Sequence, residues 1–127
     1  MRCVSILVLS LFVSASSPAQ AFDCVKAGTE TEKLICSDNR LKQADDDLGR
    51  AWRNARELLG EAEFKMLRQN QRAWLKTRDA RCGYGSDAER FDCLMQQTTR
   101  RTLIIAAKAK TGPGSGSAMV PFARVQA

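Results

Sequence analysis

No histidine occurs anywhere in the 127 residues. That absence removes the side chain most often used for proton transfer near neutral pH and the commonest metal ligand. No two cysteines stand two to four residues apart, so the spacing of a structural zinc site is missing as well. No glycine-rich stretch resembles a phosphate cradle. The run Asp45-Asp46-Asp47 is the one acidic cluster that invites a metal. Consecutive helical positions point about 100° apart, however, and cannot converge on one ion. These absences exclude acid–base triads and metal hydrolysis, and they leave a non-enzymatic protein with no cofactor and no metal.

A long apolar run is also lacking. Met1-Arg2 is a short basic start, Val4 to Val13 is apolar apart from Ser5 and Ser10, and Ala19-Gln20-Ala21 is a small-x-small cleavage site. The apolar run is too short to cross about 30 Å of hydrocarbon, and the three features together read as a signal peptide over residues 1–21. Cys3 lies before the apolar run, and Phe22-Asp23 separates Cys24 from the cleavage site, so neither is placed for lipidation. The expectation is a soluble periplasmic or secreted product with no transmembrane helix in its mature form. Loss of Arg2 takes the formal charge from +6 to +5. Export argues against a nucleic-acid partner despite that charge.

Four cysteines remain after cleavage: Cys24, Cys36, Cys82 and Cys93. An even count in a small exported domain implies disulfides, with three connectivities open. Cys24–Cys36 and Cys82–Cys93 are preferred because each closes a short local loop. Oxidised cysteines offer no thiol nucleophile.

The remaining pattern is helical throughout. Thr29-Glu30-Thr31-Glu32 is a capping box that opens a short helix ending near Ser37. Asp38 caps the next helix, whose stripe is Leu41, Ala44, Leu48, Trp52, Ala55 and Leu59; Gly60 is its expected stop. The pattern resumes at Phe64 and runs to Cys82. Gly83-Tyr84-Gly85 forms a turn, and Ser86 to Glu89 is a second capping box. The last helix runs to about Lys110, with Phe91, Leu94, Thr98, Arg101 and Ile105 along one side. The fold class is all-α: a small antiparallel bundle of one short N-terminal helix and three longer ones, stapled by two disulfides. Residues 22–110 form this domain, and residues 111–127 read as a flexible tail containing Gly and Ser.

One stretch, Gln71 to Cys82, contains a polar fault. Leu67, Gln71, Trp74, Arg78 and Cys82 share a narrow stripe that also takes in Phe64 and Leu75. Polar groups on a buried face need partners. If the two central helices fold back about residue 61, facing positions sum to about 123. Asp45, the one acid on the first stripe, then meets Arg78, and a partly buried, bidentate ion pair is predicted. The same register makes Leu41, Leu48, Trp52, Leu67, Gln71 and Trp74 the core of a helical hairpin, with Gln71 beside Trp52 and able to donate to that region or to a backbone carbonyl.

Two surface features remain. Lys65, Arg68, Arg72 and Lys76 cluster on one flank of the second long helix, near Arg53 and Arg56 of its partner. Such a strip suits an anionic envelope polymer or surface. Tyr84, on a turn held between two cysteines, suits a protein partner as an aromatic anchor.

The motifs resemble a known family. Phe22-Asp23-Cys24, the Thr29–Glu32 segment, Leu34-Ile35-Cys36, and Leu41 with Asp45 and Leu48 form one block. Gln71, Trp74-Leu75, Arg78-Asp79 and Cys82 form a second, and Cys93-Leu94 with Thr98 and Arg101 a third. Together they resemble the N-terminal domain of the LprI-like lysozyme inhibitors, exported bacterial proteins, over roughly residues 22–105. Trp52 stands where that pattern has tyrosine, and the Gly/Ser tail is additional. The resemblance implies a helical, disulfide-bonded periplasmic domain that binds lysozyme, or another envelope protein, without catalysis. It carries no inhibitory residue over to this chain, because the matching positions read as scaffold.

Overall fold

The computed structural model describes residues 23–112. A 3-10 turn, Cys24–Lys26, leads into α1 (Glu30–Ser37), α2 (Asn39–Leu58), α3 (Glu61–Cys82) and α4 (Asp87–Lys110). No strand occurs among the described residues. Residues 1–21, read above as a signal peptide, and nearly all of the segment read as a tail lie outside them.

Local chemistry sets the helix starts. Thr29 Oγ1 accepts from the Glu32 amide, and the Glu32 carboxylate accepts from the Thr29 amide, so α1 opens on the expected reciprocal cap. Ser86 and Glu89 repeat the arrangement at α4. The Asp38 carboxylate caps α2 by accepting from the Arg40 and Leu41 amides. Gly60 departs from expectation. The α2 helix is closed at Leu59, and Gly60 is the extended N-cap of α3. It therefore joins two helices through one tight bend rather than ending the first in a left-handed conformation.

The bundle runs up, down and up. The α3 helix is antiparallel to α2, as the Trp52–Phe64 ring contact at one end and the Asp45–Arg78 approach further along require. The α4 helix runs parallel to α2. The Arg40 guanidinium lies over the Phe91 ring at one end, and Gly112 meets Leu58 and Leu59 at the other. A Cβ on Gly112 would stand 2.6 Å from the Leu58 carbonyl oxygen, so that close approach requires glycine.

The central pairing differs from the hairpin expected from sequence. The α2 helix packs most closely on α4, and α3 lies across the pair. Residue size explains the choice. Ala44, Ala51 and Ala55 are all buried on α2 and form a shallow face. Short side chains let two helix axes come nearer the lower end of the usual 8–10 Å range. The corresponding face of α3 carries Trp74, Phe64 and Arg78, which hold its backbone further off.

Two apolar clusters fill the interior. Leu48, Ala51, Ala55, Leu59, Leu67, Ile105 and Ala109 form one, with Trp52, Phe64 and Trp74 packed against it. Ile35, Leu41, Cys82 and Leu94 form the other. Each long helix passes from one cluster to the other through a polar position: Asp45 on α2, Arg78 on α3 and Thr98 on α4. Disulfides Cys24–Cys36 and Cys82–Cys93 are both present, with Cα separations of 5.7 and 5.5 Å. The second is part of the core, since Cys82 is buried. In the loop-entropy picture, closing loops of this length contributes about 3 kcal/mol each.

Candidate functional site

The polar layer accounts for the conspicuous residues of α3. Arg78 is buried, with only 6% of its side chain exposed, and Asp45 faces it with 15% exposed. Their nearest approach, Nη1 to Oδ1, is 4.0 Å. The pair is therefore not bidentate. Arg78 instead donates from Nε to Oδ1 of its neighbour Asp79 at 2.9 Å. A guanidinium held by a carboxylate on its own helix cannot also present its fork squarely to α2. Burial raises the Asp45 pKa above the ordinary 3.8, and the attraction of Arg78 only partly offsets this.

The Gln71 hydrogen bond runs to α4 rather than to a backbone carbonyl or the Trp52 region: its Oε1 accepts from Arg101 Nε at 2.7 Å. The Arg78 and Arg101 guanidiniums lie 5.2 and 5.5 Å from the centre of the Trp74 ring, within range of cation–π attraction. Desolvation lowers the Arg101 pKa. Sequence reasoning placed Arg101 on the inner side of α4 but found no partner for it. A register between α3 and α4 would have supplied Gln71. Leu41, Leu48 and Leu67 are buried, and Trp52, Gln71 and Trp74 are half-buried, so all six residues assigned to the hairpin lie within or against the interior.

The surface residues divide differently. Lys65, Arg68, Arg72 and Lys76 are all exposed on α3. Arg56 faces the first two across a groove of about 480 Å³, which Trp52, Phe64 and Glu61 also line. A larger groove, about 640 Å³, runs between α2 and α4 over Ala44, Met95 and Leu103. Its charged rim is already engaged: Arg40 is bound to Asp38, and Asp47 to Arg50. Tyr84 is 82% exposed. Its turn is short and held at both ends. Cys82 and Cys93 are bonded across it, Gly85 takes φ +94°, and the Ser86–Glu89 cap fixes the next helix. No group of acids and cysteines among the described residues is arranged to hold a metal.

The family model of lysozyme inhibitor LprI matches residues 24–103. The chain belongs to the LprI lysozyme inhibitor family. The match runs from Cys24 into the last third of α4, so it takes in both disulfides, the polar layer and the Tyr84 turn. No curated protein and no solved structure matches the chain. LprI membership accords with a helical, disulfide-bonded domain and with an inhibitor rather than an enzyme. No helix among the described residues is long and apolar enough to cross a membrane.

Proposed function

We propose that this protein is exported through its 1–21 leader to the periplasm or beyond and inhibits a lysozyme by binding it directly, without catalysis. The observation that carries this reading is the LprI family match over residues 24–103. The Tyr84 turn is the contact we assign to the enzyme. Aromatic side chains on pre-ordered turns give large contact area with little entropy lost on binding. Lysozyme's substrate cleft is a concave site that such a projection fits. The side chain makes no hydrogen bond and no ring contact among the described residues, so its exposure has no evident structural use.

The test is a lysozyme activity assay with the purified mature protein. Inhibition of at least one lysozyme class is expected at micromolar inhibitor. Tyr84→Ala should weaken inhibition at least tenfold and leave the melting temperature unchanged. Absence of inhibition against every lysozyme class at micromolar excess would remove the reading. Full inhibition by Tyr84→Ala would remove the assignment of the contact.

A further inference from the structure

We propose that the outer face of α3 is a docking strip for a linear, phosphate-bearing polyanion of the cell envelope. Lys65, Arg68, Arg72 and Lys76 fall within a sector of about 80° on the helix and span about 16 Å along its axis. All four are exposed. None of them forms an ion pair among the described residues, and neither does Arg56 across the groove at the strip's end. The cations of α1 and α2 show the contrast: Lys33, Arg40, Lys42 and Arg50 are each closed by a nearby acid, Glu30, Asp38, Asp46 and Asp47.

Like charges three and four residues apart destabilise a helix by about 0.2–0.5 kcal/mol per pair. Within the α3 strip no acid is interleaved between Lys65 and Lys76 to relieve that cost. Glu61, four residues before Lys65, offsets it only at that end, and Asp79 at the other is already bound to Arg78. Folding does not explain the arrangement, and an anionic ligand does.

The shape of the strip selects the ligand. A single row of cations matches a chain of spaced negative charges better than a flat protein surface. Guanidinium takes phosphate oxygens in pairs, and ammonium adds unspecific attraction. Met66, the large exposed apolar residue nearest the row in sequence, is about 100° round the helix from Lys65. The strip therefore carries no apolar anchor for a bilayer. The proposal rests on the export proposed above but not on lysozyme binding, which uses the turn beyond the other end of α3.

The experiment titrates the full mature chain with a synthetic poly(glycerol phosphate) at several salt concentrations. Neutralising four phosphates on a flexible chain predicts a roughly fifty-fold loss of affinity between 50 and 200 mM salt. A variant carrying Lys65→Gln, Arg68→Gln, Arg72→Gln and Lys76→Gln should bind at least tenfold more weakly and lose most of its salt dependence. A matched variant carrying Lys33→Gln, Arg40→Gln, Lys42→Gln and Arg50→Gln removes the same charge and should stay within threefold of the wild type. Three results would overturn the proposal: no binding at low salt, equal loss in both variants, or retention of a poly-L-glutamate or an acidic protein in place of the phosphate polymer.

Discussion

The α3 helix carries two sets of cations, and they behave oppositely. Arg78 faces inward, nearly buried, with a carboxylate from its own helix at 2.9 Å, another from α2 at 4.0 Å and the Trp74 ring beneath it. Lys65, Arg68, Arg72 and Lys76 face outward, exposed and unpaired among the described residues. One helix thus separates structural charge from available charge by rotation alone. The residues that make the chain recognisable, Gln71, Trp74 and Arg78, lie on the structural side. The binding proposed above uses the outer strip and the Tyr84 turn at the end of the helix.

The contrast can be broken most severely from the inside. Arg78→Ala leaves Asp45 half-buried without its counter-charge and removes packing against Trp74. Losing one partner of a buried pair costs about 3–5 kcal/mol, and the 4.0 Å separation points to the lower end, about 3 kcal/mol. Urea or thermal unfolding measures it. The loss should deepen with pH. Burial raises the Asp45 pKa and Arg78 counters it, so removing Arg78 raises it further. A carboxyl whose folded pKa exceeds its unfolded value stabilises the fold less as pH climbs through that interval. Arg78→Ala should therefore be closest to wild type near pH 4 and furthest from it at pH 7.

Removing the Cys82–Cys93 bridge by alanine substitution should cost about 2–3 kcal/mol and exceed the cost of removing Cys24–Cys36. Both loops are nearly equal in length, but only Cys82 belongs to the buried core. Gln71→Ala should cost about 1–2 kcal/mol, because it deprives the half-buried Arg101 of its acceptor. Asp45→Asn is smaller again. It relieves the desolvation of a charge while surrendering a long ion pair, so neutral-pH stability should change by less than about 1 kcal/mol. The fall in stability between pH 4 and 7 that Asp45 contributes should disappear.

Much of this architecture was legible in the sequence because it rests on local rules. Both capping boxes, the ends of α1 and α4 and the two short-range disulfides follow from neighbouring residues. The rule that facing positions sum to about 123 brings Asp45 and Arg78 together because a two-residue bend at Leu59 and Gly60 leaves little freedom of register. The rest depended on which helices approach most closely. Three buried alanines gave α2 to α4, and apolar periodicity alone does not distinguish a shallow stripe from a deep one. That is why periodicity alone does not point Gln71 to Arg101, with which its hydrogen bond is made. The bidentate geometry failed for a local reason, since Asp79, one residue along, claims the Nε of Arg78. The unpaired state of the outer strip was also hidden in the sequence, because Glu63 and Asp79 lie close by in the chain and only the fold shows them engaged with Lys108 and Arg78.

The central claim is that the outer cations of α3 do no structural work and the inner one does. Thermal unfolding of the variant carrying Lys65→Gln, Arg68→Gln, Arg72→Gln and Lys76→Gln, measured beside Arg78→Ala, tests it most directly. Relief of like-charge repulsion predicts a melting temperature equal to the wild type or slightly higher for the four-site variant, against a clear drop for Arg78→Ala. A four-site variant that melts as early as Arg78→Ala would contradict the account.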